Sequence, residues 1–329
     1  MKTPLLESIA TDYRRSCILF GAMELGLFEH LMAADQPVPI YTLSDTFGVK
    51  APRLCALINC LVQFGVLQTD GAGVSLDAEL KASIGEEEIG ALENYRSEVS
   101  EWLKLASMMK AKPESSREDT VFSTDSIFAY LDMVKASNRE RITKTAPIIC
   151  TYANGLTSLI DVGGGHGAFS AEVLRLKPEV QATVYDLPVA IDYAKHSMPA
   201  DLLDRVTLVA GDARKMEIEG EYDAVLVNDL LHSYGADEKI NILRRAVNAV
   251  TPGGSIFVGK FFMDEDDPKN PSNNHTFSMK MILNTHDGYL ESIQEVQRDL
   301  TELNCNNIKI YELEHHMPSV IVAAKRAAT

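Results

Sequence analysis

The chain has 329 residues, 46% of them hydrophobic, and carries a formal net charge of −16. This length exceeds what one hydrophobic core usually supports, so we expect two domains. The absence of a basic cluster argues against a nucleic acid as substrate or partner, since phosphate groups need several cations. No apolar run is long enough to span a bilayer and the first residues lack a signal-peptide core, so a cytoplasmic protein without a membrane partner is predicted.

The cysteines and acidic residues give no sign of a metal site. Five cysteines are scattered along the chain without a C-x-x-C pair, so we predict reduced cysteines of the interior. The acidic run Asp264-Glu-Asp-Asp267 is flanked by a proline and is typical of a solvated surface loop. We therefore predict a protein that binds no metal.

The first elements in chain order form a separate amino-terminal region. Residues 5–32 are predicted to be helical and too apolar for a helix alone in water, with large apolar residues recurring every four positions at Leu19, Met23, Leu27 and Leu31. Residues 42–47 and 51–64 then predict a helix-turn-helix, and residues 66–76 a β-hairpin wing. The first 88 residues carry six Lys and Arg against twelve Asp and Glu, so DNA binding is disfavoured.

Further helices lead from this region to the first long strand. Residues 90–110 are predicted to be helical and contain Trp102, the only tryptophan. A polar connection over residues 113–125 follows, and then helices over residues 127–136 and 139–154.

The most informative stretch is Leu159-Ile-Asp-Val-Gly-Gly-Gly-His-Gly-Ala-Phe169, an apolar strand that ends at an acid and then at four glycines. Glycine has no Cβ and lets a ligand approach the backbone. The helix predicted from Ala168 would point its first N–H groups into this loop, where an anionic group is stabilised. A nucleotide-type site is predicted, but the loop alone fits both NAD and S-adenosylmethionine (SAM), because it also satisfies G-x-G-x-x-A.

Three later strands end at polar residues. Asp186 follows the second strand and can accept the hydroxyls of a ribose, while Gly211-Asp212 after the third strand places a carboxylate where an adenine amino group would lie. A fourth strand is predicted over residues 222–232, and it runs into a polar end that contains Asn228 and His232. Since strands and helices alternate from residue 159 onward, a parallel sheet with helices on both faces is predicted, and these strand ends converge on one crevice. Residues 307–312 and 318–324 predict a final antiparallel hairpin.

The order and spacing of these motifs resemble the class I SAM-dependent methyltransferases, and more narrowly the two-domain small-molecule O-methyltransferases of plants and bacteria. That family reads D-V-G-G-G-x-G, D-L-P, G-D, L-H-D-W and P-G-G. This chain has Asp161-Val-Gly-Gly-Gly-His-Gly167, Asp186-Leu-Pro188, Gly211-Asp212, Leu231-His-Ser-Tyr234 and Pro252-Gly-Gly254. Glu24-Leu-Gly-Leu-Phe28 and Phe64-Gly-Val-Leu67 match the family's winged-helix dimerisation domain.

The resemblance implies an α/β fold with a Rossmann-like seven-stranded methyltransferase sheet and a helical, winged-helix amino-terminal domain. Residues 1–100 would form the dimerisation domain of a homodimer, residues 101–154 linking helices that cap the substrate pocket, and residues 155–329 the SAM-binding catalytic domain. It implies SAM as cofactor and S-adenosylhomocysteine (SAH) as product. The cofactor-binding residues would be Asp161, Gly163, Gly165, Gly167, Asp186, Leu187, Gly211, Asp212, Ala213 and Asn228. The substrate would meet Trp102, Met109, Met279 and Asn284.

The resemblance also gives His232 the position of the family's catalytic base, which suits deprotonation of a hydroxyl near neutral pH. The plant enzymes carry two glutamates beside this histidine. Here the first position holds Lys260, and the second falls near Tyr289 or Leu290, so no residue obviously orients His232. We hypothesise that Lys260 faces the substrate and binds an anionic group; the alternative is that it extends to solvent.

The sequence thus predicts an O-methyltransferase of a small aromatic or enolic metabolite, in secondary metabolism. Nitrogen or carbon acceptors are a near alternative, because a nitrogen lone pair needs no base. More distant alternatives are a SAM-binding catalyst that no longer transfers methyl and a SAM-responsive DNA-binding regulator.

Overall fold

The computed structural model describes residues 3–71, 73–110, 124–218, 220–263, 273–285, 287–313 and 319–326. The chain forms two compact units, Met1–Glu98 and Val99–Thr329. Most of the predicted connection over residues 113–125 and all of the acidic run at residues 264–267 lie outside the described residues. No single helix in the described part is long and apolar enough to cross a membrane, although Leu6–Glu24 and Leu27–Ala33, bent by 60°, meet the same criteria as a pair.

The first unit is built of short helices and one two-stranded sheet. Its elements are α1 (Thr3–Thr11), α2 (Tyr13–Glu24), α3 (Leu27–Ala33), α4 (Ile40–Phe47), α5 (Ala51–Gln63), β1 (Leu67–Thr69), β2 (Val74–Leu76) and α6 (Ala78–Ser83), followed by α7 (Glu86–Trp102), which extends past the unit's last residue. Strands β1 and β2 pair antiparallel. The apolar residues spaced along these helices, such as Leu27, Leu43 and Ile58, are buried in one core.

Residues 5–32, predicted to be helical, form three helices rather than one. The chain breaks at Asp12 and again at Gly26, whose φ of 74° is left-handed. Glycine adopts this conformation without the steric penalty of a Cβ, so α2 ends there and α3 starts in a new direction. The spacing of Met23, Leu27 and Leu31 continues across the break because all three face the same core.

The second unit contains a mixed seven-stranded sheet. Its strands are β3 (Ser158–Val162), β4 (Gln181–Asp186), β5 (Val206–Ala210), β6 (Tyr222–Asn228), β7 (Val250–Lys260), β8 (Cys305–Leu313) and β9 (Ser319–Arg326), in the spatial order β5-β4-β3-β6-β7-β9-β8. The five strands from β3 to β7 run parallel, and β9 lies antiparallel between β7 and β8. The predicted α/β class, seven-stranded sheet and final hairpin are confirmed.

Helices precede and connect these strands, and the sheet has an apolar core on each face. They are α8 (Leu105–Met108), α9 (Thr124–Ser137), α10 (Arg139–Tyr152), α11 (Ala168–Leu176), α12 (Pro188–Ser197), α13 (Ala236–Asn248), α14 (Asn273–Asn284) and α15 (Ile293–Glu302), with 3-10 turns at Ala200–Arg205 and Leu231–Ser233. Side chains along a strand point alternately to opposite faces. In β6, Val225 and Val227 accordingly join one core while Ala224 and Leu226 join the other.

The topology creates a crevice at the carboxyl ends of β3 and β6. From β3 the chain proceeds outward through β4 and β5, then returns to the other side of β3 and proceeds outward through β6 and β7. The connections after β3 and β6 therefore diverge, and ligands of such sheets bind at this switch point.

Candidate functional site

The loop between β3 and α11 has a backbone that glycine favours. Gly163, Gly165 and Gly167 have φ values of 70°, 48° and 69°, all left-handed. A Cβ at Gly163 would lie 2.6 Å from Leu230 Cδ1, and one at Gly167 would lie 2.6 Å from Met198 Cε. The three predicted glycines thus turn the chain sharply into the first turn of α11, where free backbone N–H groups favour negative charge.

Asp161 is the one acid of β3 and is fully buried beneath this loop. Ser170 Oγ donates to its Oδ2 at 3.0 Å, and its Oδ1 finds no hydrogen-bond partner among the residues that the structure describes. Burial is the main cause that raises the pKa of Asp161 to about 7, and the nearby charge of Asp186 adds to it. An unsatisfied buried carboxylate oxygen is costly unless a ligand donates to it.

Asp186, at the end of β4, is held against the glycine loop. Its Oδ2 accepts from the Gly165 backbone N–H at 2.7 Å, and its Oδ1 accepts from that of Leu187 at 2.6 Å. Burial raises the pKa of this carboxyl group. The carboxylate is fixed at a strand end and retains lone pairs for further donors, as a ribose-binding residue requires.

The turn after β5 presents Asp212. Arg214 donates to its carboxylate from the backbone N–H at 2.8 Å and from Nη2 at 2.7 Å. Burial alone would raise the pKa of Asp212, but these bonds and the Arg214 charge hold it below its usual value. Ala213 beside it is buried, and a Cβ at Gly211 would overlap the Tyr185 hydroxyl.

The end of β6 carries Asn228 and Asp229. Asn228 is buried, and its Nδ2 has no hydrogen-bond partner in the described part of the chain. Asp229, with a left-handed φ of 51°, accepts from Arg141 Nη1 at 2.9 Å, from Arg141 Nη2 and from Asn138 Nδ2 at 3.3 Å.

Arg141 on α10 is a site residue that sequence reasoning missed. Its guanidinium is buried, and its Cζ lies 5.3 Å from the Phe169 ring centroid and 5.1 Å from that of Phe261. The available signal was its helical spacing, because Arg141 precedes the buried residues Thr145 and Ile149 by four and eight positions. A cation on the buried face of a helix needs a partner, which here is Asp229.

His232 lies on the 3-10 turn that follows β6 and is almost fully buried. The rings of His232 and Phe277 of α14 pack edge to face, with their centroids 5.2 Å apart. Its Nδ1 has no hydrogen-bond partner among the described residues. Burial, followed by the positive charges of Lys260, Arg141 and Lys239, lowers the pKa of His232 to about 3, so the imidazole is neutral at neutral pH.

The structure corrects the hypothesis about Lys260. Its ammonium neither reaches solvent nor stands unpaired, because Lys260 Nζ binds the Glu291 carboxylate inside the protein. Lys239 Nζ donates to the same oxygen, Glu291 Oε2, at 2.7 Å, and to the Tyr289 carbonyl at 2.7 Å. Glu291, one residue beyond Leu290, therefore supplies a carboxylate near the positions at which the plant enzymes carry glutamates. Lys239 and Lys260 both bind this carboxylate.

The predicted substrate residues are less well defined. Met279 on α14 and Trp102 at the end of α7 are half-buried. Met109 is 56% exposed in the single chain, so its place in a pocket stays a prediction. Asn284 ends α14, and its side chain lies outside the described residues.

These residues fit SAM. The crevice of the sheet is lined by left-handed glycines and by a fixed carboxylate at the end of β4. It also holds Asp161 Oδ1 and Asn228 Nδ2, two polar atoms that have no hydrogen-bond partner within the described ranges. Among the described residues, no group of three or more His, Cys, Asp and Glu side chains could hold a metal ion.

Comparisons with known proteins agree with this geometry. The family model of the O-methyltransferase domain matches residues 121–302. Acetylserotonin O-methyltransferase of Bos taurus is 25% identical over 302 residues, which cover 85% of this chain and 86% of that protein. The 3-hydroxy-5-methyl-1-naphthoate 3-O-methyltransferase of Streptomyces sahachiroi is 25% identical over 295 residues, covering 85% and 83%. The structure of human N-acetylserotonin methyltransferase in complex with SAM superposes with a TM-score of 0.80 at 22% identity, covering 100% and 98%.

The match over more than half of the chain defines the class of protein: this chain belongs to the O-methyltransferase family. It is a SAM-dependent methyltransferase.

Proposed function

We propose that this methyltransferase acts on a hydroxyl oxygen of a small aromatic or enolic metabolite. The observation that carries the proposal is the position of His232, a buried histidine just after the carboxyl end of β6, whose Nδ1 has no partner in the part of the chain that the structure describes. The naphthoate enzyme among the relatives acts, by its name, on an aromatic hydroxyl, which supports the substrate class.

The cofactor would be held by the strand ends of the crevice. Asp186 would accept the ribose hydroxyls, Asp212 the adenine amino group, and the glycine loop would lie against the nucleoside. Bound SAM supplies a methyl group already activated by its positively charged sulfur. The protein therefore mainly has to orient the acceptor, and good orientation can lower a barrier by about 7 kcal/mol.

His232 would contact the acceptor hydroxyl. A neutral imidazole offers one N–H donor and one acceptor nitrogen, so it can bind the oxygen in either protonation state. Phe261 and Phe277, whose centroids are 5.4 Å apart, form an apolar wall beside it. Such a wall excludes water and suits an aromatic ring.

We further propose that the protein is a homodimer formed through its amino-terminal unit, and that it serves secondary metabolism in the cytoplasm. Leu6, Ile9 and Tyr13 support the dimer, because these apolar side chains are each more than 60% exposed within three turns of α1 and α2. Exposed apolar patches commonly mark association surfaces.

Analytical ultracentrifugation of the wild type should give the mass of a dimer. The double variant Leu6→Asp, Ile9→Asp should give the mass of a monomer, and an unchanged sedimentation coefficient would contradict this surface assignment.

The proposed chemistry is tested by incubating the protein with methyl-labelled SAM and a panel of phenols, enols, aromatic amines and aromatic acids. Mass spectrometry should find label in hydroxyl compounds. His232→Ala should lower kcat/KM at least about a hundredfold, as loss of a group that acts directly on the acceptor proton does. His196→Ala, which removes an exposed histidine of α12, should leave the rate unchanged.

If label instead appears on amines or ring carbons, and His232→Ala does not reduce it, methyl transfer to nitrogen or carbon would be supported. Tight SAM binding without any labelled product would favour a catalyst that no longer transfers methyl.

A further inference from the structure

The turn that carries His232 begins at a residue with a sterically disfavoured backbone. Asp229 directly follows β6 and has a left-handed φ of 51°, a conformation that residues with a Cβ rarely adopt. Two residues later the chain enters the 3-10 turn Leu231–Ser233, on which His232 lies. Since backbone dihedrals fix the course of a chain, the conformation of Asp229 decides where the His232 ring is placed.

The same turn is fitted to the cofactor loop and to the neighbouring strand. The Asp229 backbone N–H donates to the Gly259 carbonyl of β7 at 2.9 Å. The side chain of Leu230 lies so close to the glycine loop that a Cβ at Gly163 would be 2.6 Å from its Cδ1. A rotation of the backbone at Asp229 would therefore move His232 relative to the loop to which SAM is assigned.

Two buried residues at the start of α10 hold the side chain of Asp229. Arg141 donates to its carboxylate from Nη1 at 2.9 Å and from Nη2, and Asn138 Nδ2 donates at 3.3 Å. The guanidinium of Arg141 packs in turn against the rings of Phe169 and Phe261, whose centroids lie 5.3 Å and 5.1 Å from its Cζ. Two hydrogen bonds from one guanidinium fix both the position and the orientation of a carboxylate, so the Asp229 side chain is anchored.

This anchor acts on the backbone because the carboxylate and the left-handed φ belong to the same residue. A disfavoured backbone conformation persists where the surrounding structure enforces it, and such conformations cluster at functional sites. Glycine would adopt a left-handed φ without steric cost, so what an aspartate adds at position 229 is its carboxylate.

We propose that Arg141 and Asp229 position His232 for methyl transfer. Their ion pair holds the left-handed backbone at Asp229, and this backbone holds the histidine at the acceptor hydroxyl. Arg141 is therefore a positioning residue that acts through His232. The inference rests on the proposed function, in which His232 contacts the acceptor.

The first test asks whether Arg141 acts through His232. Arg141→Met is made in the wild type and in His232→Ala, and kcat is measured with SAM and the phenol both at saturation. In the wild type it should lower kcat at least about tenfold, because a small displacement of a group at the acceptor is costly. In His232→Ala it should change the residual rate by less than about twofold, since the histidine through which it acts is already absent. Losses that multiply in the double variant would overturn the inference.

The second test separates the backbone from the charges. The double variants Arg141→Met, Asp229→Gly and Arg141→Met, Asp229→Ala both remove the whole ion pair, so neither leaves one of its charges buried alone. They differ in that glycine adopts the left-handed conformation readily and alanine does not. The glycine variant should have a kcat about tenfold above that of the alanine variant and close to the wild-type value. Equal kcat in the two would overturn the inference, and this comparison decides it if Arg141→Met alone does not fold.

Gly155→Ala is the control for the backbone change. It places alanine at a left-handed φ of 80° on the loop before β3, and it should leave kcat unchanged. Circular dichroism at the assay temperature shows which variants are folded.

The Kd for SAM separates positioning of the histidine from binding of the cofactor. Arg141→Met should change this Kd by less than about threefold while kcat falls. A higher Kd with an unchanged kcat at saturation would assign the pair to the cofactor site and overturn the inference. If His232→Ala lowers kcat and Arg141→Met does not, the inference fails and the proposed function stands. If His232→Ala keeps the wild-type kcat, the proposed role of the histidine fails and the inference fails with it.

Discussion

The glycine loop allows a sharp test of where the cofactor binds. Gly165→Ala would add a methyl group 3.4 Å from Leu131 Cδ2 and 3.7 Å from Asp186 Oδ2, beside the carboxylate assigned to the ribose. Gly155→Ala is a matched control, because Gly155 is also left-handed, with a φ of 80°, and a Cβ there would meet nothing within 4 Å.

Both substitutions place alanine in a left-handed conformation, which costs about 1–2 kcal/mol. The free energy of unfolding should therefore fall by a similar amount in both. Only Gly165→Ala should also disturb the hydrogen bonds from the cofactor to Asp186. A hydrogen bond to a charged group contributes about 1.5–3 kcal/mol, so the Kd for SAM should rise about 10- to 100-fold.

Urea denaturation measures the first quantity, and calorimetric titration with SAM measures the second. The Kd of Gly155→Ala for SAM should equal that of the wild type, measured where both proteins are folded. If Gly165→Ala also keeps the wild-type Kd, the space between the loop and Asp186 is not the cofactor site and the reasoning is refuted.

Two further predictions concern buried charge. Arg141→Met should lower the free energy of unfolding by about 3 kcal/mol, since it leaves the Asp229 carboxylate, 19% exposed, without its cation. Lys195→Met should change it by less than about 1 kcal/mol, and equal losses in urea denaturation would contradict the role of the pair. In the folded protein the pKa of His232 is about 3, against 6.5 ordinarily. Below pH 6.5 the unfolded chain therefore binds a proton that the folded chain does not, and the free energy of unfolding decreases as the pH is lowered. His232→Gln should remove this share, about 1.4 kcal/mol per pH unit between pH 4 and 6, and identical pH profiles for variant and wild type would exclude it.

The fold of the second unit could be predicted because its signals are local. Each strand from β3 to β6 is a largely apolar run with an acid or an amide within two residues of its end, namely Asp161, Asp186, Asp212 and Asn228. The glycines after β3 need no distant partner to be recognised. The helical character of residues 5–32 could be predicted, but the break at Gly26 could not, because the apolar spacing continues on both sides of it.

The charged part of the site could not be predicted in this way. Lys239, Lys260 and Glu291 lie up to 52 residues apart in the chain and meet only through the packing of α13, β7 and α15. Arg141 and Asp229 are 88 residues apart. The polarity of a single residue does not reveal its partner. The sequence therefore predicts that Lys260 binds the substrate, whereas in the structure Lys260 binds the buried carboxylate of Glu291.

The most direct test of the central claim is to identify the atom that receives the methyl group. The protein is incubated with SAM that carries an isotope-labelled methyl group and with a panel of phenols, enols and aromatic amines, and the product is examined by nuclear magnetic resonance. An O-methyl signal that His232→Ala abolishes and His196→Ala preserves is the predicted result. An N-methyl or C-methyl signal, or an O-methyl signal of equal strength in His232→Ala, would contradict the account.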